Sequence, residues 1–208
     1  YSAGNAELQA KQLDNHGSIA GNQLQLGGGQ LRNDGQIGGK TQLAFNLDRL
    51  DNRGQIHGGQ NISGSIGTLE QSGLLASQGN LQLKLQQLNQ QPDATLFARD
   101  RLSLAVENAV QQSGTIAAGG ALDFEAALLE NYGNLFGGTT TFRLQEQLDN
   151  HGTISARTAQ TIDAKAINNQ GTLASEGSQH IQGGQLNNSG ELVAASENLS
   201  LDRLDNSG

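Results

Sequence analysis

The sequence predicts an all-β chain wound as a right-handed parallel β-helix, a β-solenoid of about ten coils of roughly 19 residues each. Three observations predict it. A short phrase recurs at a fixed interval, the apolar residues inside each interval alternate at spacing two, and the composition suits a thin repeating core.

The phrase is clearest in "LDNHGSI" at 13–19 and "LDNHGTI" at 148–154. Aligned on Asn-x-Gly, the glycines fall at Gly17, Gly35, Gly54, Gly73, Gly114, Gly133, Gly152, Gly171, Gly190 and Gly208. All intervals are 18 or 19 residues except the 41 between Gly73 and Gly114, which hold two units. The middle mark of that gap is degenerate and lies near Ala94 in "LNQQPDATLFA". A period near 20 belongs to a solenoid, in which each unit stacks only on its neighbours.

Columns within the unit identify the solenoid. Four residues before the glycine stands an aliphatic, as at Leu13, Leu50, Leu148 and Leu186. Two before it stands an amide: Asn15, Asn33, Asn52, Gln71, Gln112, Asn131, Asn150, Asn169, Asn188 and Asn206. Two after it stands an Ile or Leu, such as Ile37, Ile116, Leu135, Ile154 and Leu173, and four after it a small residue. A second alternating run follows, "LQL" at 81–83 or "LDF" at 122–124. Spacing two is strand alternation, and no stretch has helical period. Short strands stacked coil on coil make a parallel β-helix with about 4.8 Å per step. The right-handed form follows from the crossover rule for parallel strands.

Each column has an expected task. The aliphatics stack into a dry core, each burial contributing roughly 1.5–3 kcal/mol. The amides form a structural ladder through the coils, Asn15, Asn33 and Asn52 in the first half and Asn131, Asn150, Asn169, Asn188 and Asn206 in the second. The glycine is expected at a tight corner with positive φ. Strands are expected to run three to five residues between turns.

Composition narrows the function classes. The 208 residues include 29 Gly, one Pro and no Cys, Met or Trp, with aromatics at 3%. Without cysteine there is no disulfide framework or thiolate metal site. A net charge of −8 argues against nucleic acid and anionic membrane surfaces as partners. No apolar run is long enough for a membrane span. The chain starts and stops mid-pattern, as a single β-helix segment, 1–208, cut from a longer filament would.

The columns resemble the filamentous haemagglutinin repeat family. The likeness is carried by "LDNRGQI", "LDNHGTI", "INNQGTL" and "LNNSGEL", each followed by a short alternating strand, and covers nearly the whole chain. The resemblance implies a very large exoprotein of a Gram-negative bacterium. Such proteins leave the cell by two-partner secretion, unfolded through an outer-membrane barrel, and fold outside into right-handed β-helical filaments. Some are adhesins and others carry toxins for contact-dependent growth inhibition. The implied location is secreted or at the bacterial cell surface, and the implied partners are the secretion barrel and a target-cell surface. Neither a secretion domain nor a toxin domain of the family's kind is present, so the resemblance implies a shaft.

A search for chemistry yields little. His16, His57, His151 and His180 have no second ligand at useful spacing. The acidic column before the amide (Asp14, Asp51, Glu70, Glu130, Asp149, Asp205) is repeat consensus and should face solvent. "LGGGQL" and "HGGQNI" lack the Asp of a calcium loop and the helix of a phosphate loop. The expectation is no cofactor, no metal and no catalysis. A β-helical glycan-active enzyme is the alternative, and would need clustered Asp, Glu, Lys and Arg outside the consensus; the linear sequence shows none. A receptor-binding segment of the same exoprotein is a further alternative. For it, the outward slot three after the glycine places Phe97, Ala117 and Phe136 in one row, with Tyr132 at the adjacent turn. Just before that row, Pro92 and Asp93 mark an inserted turn.

Overall fold

A computed structural model describes residues 4–208. They form one continuous sheet wound on itself, with no helix, in about 11 turns of roughly 19 residues. Every strand pairing is parallel, and register is kept through nearly the whole rod. The ten Asn-x-Gly marks and the degenerate mark of the long interval together make 11, and Ala94 occupies the glycine position of that interval. Thr95 donates to the Gly73 carbonyl one coil below, and Thr115 in turn donates to the Ala94 carbonyl one coil below it.

Strand length departs from expectation. Several strands run unbroken for 16 or 17 residues, among them Gln36–Asn52, Asn134–Asn150 and Thr172–Asn188. Adjacent coils bend along the same path, so their backbones stay paired round the corners. Gly54 and Gln55 illustrate this by donating to Asn33 and Gly35 one coil below.

The glycine column is also explained differently. Gly28 alone among the described glycines has a positive φ, 118°, and it lies outside the column. What excludes a side chain at the Asn-x-Gly glycines is stacking. A Cβ on Gly152 would fall well inside contact distance of the Gly133 carbonyl oxygen, and one on Gly171 would strike that of Gly152. At Gly17, in the first described coil, a Cβ would meet nothing within 4 Å among the described residues.

Inside, the aliphatic column two after the glycine is continuous. Ile116 pairs with Leu96 and Leu135, Leu135 with Ile154, and Ile154 with Leu173, all fully buried. A second inward column begins as Leu24, Leu43, Ile62, Leu81, Leu102 and Leu122, paired in order. It then turns polar: Leu122 is followed by Thr140, Gln160 and Gln179, each 1% exposed. Gln179 donates to Gln160, yet Thr140 Oγ1 and Gln179 Oε1 have no partner. Buried polar atoms without partners are costly, so this column is less well satisfied from Thr140 to Gln179 than along the aliphatic stretch before it.

Candidate functional site

The amide ladder is the most ordered polar feature. Asn15 Nδ2 donates to Asn33 Oδ1 at 2.7 Å, Asn33 to Asn52 at 2.8 Å, and Asn52 to Gln71 at 3.0 Å. A second run goes from Gln112 to Asn131 at 2.9 Å, then through Asn150, Asn169, Asn188 and Asn206 at 2.7 or 2.8 Å. Spare amide hydrogens go to the backbone, as from Asn150 to the Thr172 carbonyl at 3.1 Å. All the donors point toward the C-terminal coils, so the column has one polarity.

Between the runs stands Gln90, a column member hidden by the inserted turn. It is in register with Gln71 and Gln112 but bonds to neither. Its Nε2 donates to Ala94 and Thr115 carbonyls, while its own Oε1 and that of Gln112 are unpartnered. The cause is Gln91, Pro92 and Asp93 standing where other coils have one residue. The turn closes on itself through Ala94 N–H to Gln91 O at 3.0 Å, and its three residues are exposed.

Downstream of that turn lie the aromatic residues. Ala117 pairs with Phe97 on one side and Phe136 on the other, so the three form one outward row. Phe136 is 38% exposed, whereas Phe97 is half-buried beside Ala76 and Ala117. Tyr132 is 48% exposed and lies flat on His151, with ring centroids 4.7 Å apart and 3° between planes. The other histidines make local contacts: His16 Nδ1 lies 3.2 Å from Asp34, and His57 lies 3.3 Å from Gln55. His180 Nδ1 is buried without a partner. Among the described residues no three His, Asp or Glu converge as a metal site would require.

The acidic consensus column faces outward, and its members take local partners, arginine for Asp51, Glu70 and Asp205 and amides for the rest. Arg53 grips Asp51 with two hydrogen bonds, 3.1 and 3.2 Å, which raise the guanidinium pKa above its ordinary value. Arg49 pairs with Glu70 at 3.2 Å, and Asn168 donates to Asp149 at 2.7 Å.

A different arrangement overturns one expectation. Non-consensus charges do cluster, in an open groove of about 830 Å³ along the rod. One wall is a single outward row in continuous register: Asn46, Ser65, Lys84, Ala105, Glu125, Arg143 and Asp163. The facing wall carries Asp48, Gln86, Glu107 and Gln145, and Leu47, Ile66, Leu85, Val106 and Leu144 line the floor. Glu125 meets Arg143 at 3.5 Å; among the described residues Lys84, Asp48, Glu107 and Asp163 form no ion pair. These residues are 18 to 21 positions apart along the wall, and only coil stacking brings them together.

Comparison with known proteins returned no match to any family model, curated protein or solved structure.

Proposed function

We propose that the chain is a shaft segment of a secreted, surface-displayed bacterial exoprotein that holds a contact-making or toxin-carrying part away from the cell. The supporting observation is the persistence of the repeat columns, apart from the polar stretch at Thr140, Gln160 and Gln179. The amide, glycine and aliphatic columns persist through successive coils while the exterior changes from coil to coil. Such a rod adds length at about 4.8 Å per coil without altering its cross-section. The resemblance to filamentous haemagglutinin repeats supplies the export route: passage of an unfolded, cysteine-free chain through an outer-membrane barrel, then folding outside. In this reading the segment is not a catalyst.

Antibodies raised against residues 1–208 test it on cells making the intact parent protein. Labelling of intact cells, with loss of target-cell contact when the parent is deleted, is the expected result. Label appearing only after lysis contradicts it.

A second reading has one specific observation in its favour, the exposed Phe136 and Tyr132 beside the row of Phe97 and Ala117. Exposed aromatics act as interface anchors. If this segment itself touches a receptor, Phe97→Ser with Phe136→Ser in the parent abolishes attachment without changing surface display. Unchanged attachment assigns contact to another part of the filament.

A further inference from the structure

We infer that the groove between the Asn46-to-Asp163 row and the facing Asp48, Gln86 and Glu107 is a binding site for an extended, uncharged β-linked glycan strand. The inference rests on the groove alone and does not depend on the export reading.

Shape is the first argument. The wall advances through six coil steps, about 29 Å at the parallel-strand spacing, with unbroken register. A straight trough of that length fits an extended polymer and wastes most of its surface on a small molecule. One coil step is close to the length of one hexopyranose ring in an extended chain. Each sugar therefore meets a new residue of the continuous row, with Asp48, Gln86, Glu107 or Gln145 opposite at four of the coils.

Chemistry is the second. The walls present amide, carboxylate, ammonium and guanidinium ends, the groups that accept from and donate to vicinal hydroxyls. Leu47, Ile66, Leu85, Val106 and Leu144 between the walls are only 2–7% exposed, so a ligand meets chiefly the polar rows. Backbone cannot recruit a peptide by strand addition here, because the floor strands already pair with coils on both sides.

Charge is the third. Four carboxylates (Asp48, Glu107, Glu125, Asp163) face two cations (Lys84, Arg143). That balance repels polyanions such as uronate polymers and nucleic acid. Lys84 between Ser65 and Ala105 has no carboxylate partner and is free to donate to hydroxyls.

Titration calorimetry of the 208-residue chain with cellohexaose and chitohexaose tests the inference, with maltohexaose and polygalacturonate as competitors of the wrong curvature and charge. The expected result is saturable binding of at least one β-linked hexaose, weakened about tenfold or more for the corresponding trisaccharide. Ala105→Arg, which fills the trough at mid-length, should abolish binding with an unchanged melting curve. Should that variant fold poorly, Lys84→Ala with Gln86→Ala, both exposed, should weaken binding about tenfold. No binding of either β-linked hexaose at about millimolar concentration overturns the proposal. So does equal binding of maltohexaose or polygalacturonate, or binding that survives the groove substitutions.

Discussion

Asn131 Nδ2 donates to Asn150 Oδ1 at 2.7 Å across one coil step, while Gln71 and Gln90, equally in register, make no such bond. The column is thus a chain of directional bonds that stops at the inserted turn and starts again at Gln112. Ladder bonds in a dry interior polarise one another, so a mid-run member should matter more than one at the break. Asn150→Ala removes the acceptor of Asn131 and the donor to Asn169 together. It should destabilise by about 2 kcal/mol or more, and Gln90→Ala by distinctly less, in denaturant melts followed by circular dichroism. Equal losses would mean the bonds act singly.

The glycine column makes an equally sharp contrast. Gly152→Ala drives a methyl into the Gly133 carbonyl oxygen, whereas Gly17→Ala in the 208-residue chain meets nothing within 4 Å among the described residues. Gly152→Ala should lower stability by several kcal/mol, on the scale of overpacking and lost backbone bonds. Gly17→Ala should be near neutral. Matched thermal melts of the two variants decide between stacking and backbone conformation as the reason for glycine.

In the aliphatic column, Ile154 sits between Leu135 and Leu173 with 0% exposure. Ile154→Asp buries a charge with no partner and should prevent folding or cost several kcal/mol. Ile154→Val should cost only about 0.5–1.5 kcal/mol. A melt of the Asp variant indistinguishable from the parent would remove Ile154 from the core.

Thr140 is the mildest test. Its hydroxyl is buried and unpartnered where the column changes from Leu122 to Gln160. Thr140→Val keeps the shape and removes the orphan, so stability should rise by on the order of 1 kcal/mol. A loss of that size would show that the hydroxyl is satisfied.

Most of the interior was legible because a solenoid writes each spatial column at a constant sequence interval. Leu13, Leu31 and Leu50 announce one inward stack, and the amides announce the ladder. Gln90 was hidden because three residues stand between it and Ala94 instead of one. The polar stretch of the inner column at Thr140, Gln160 and Gln179 was hidden for a related reason: a register shift between Gly137 and Thr139 puts Thr140 seven residues after its glycine, where Leu122 and Gln160 stand eight after theirs. The glycine column was seen but misread, since a clash with the coil below leaves the same sequence mark as positive φ. The groove was not legible at all. Its wall changes residue at every coil, and no local spacing separates Lys84 or Glu125 from ordinary solvated positions.

The most direct test of the stacked-coil account is hydrogen exchange of asparagine side-chain amides in the 208-residue chain, by nuclear magnetic resonance with ¹⁵N-labelled asparagine. Asn33, Asn131, Asn150 and Asn169 are fully buried and bonded coil to coil, whereas Asn134 is exposed. The account predicts side-chain NH₂ exchange at the four ladder positions slowed by orders of magnitude relative to Asn134, approaching the protection of the surrounding backbone. Exchange at all five positions at the rate of Asn134 would contradict it.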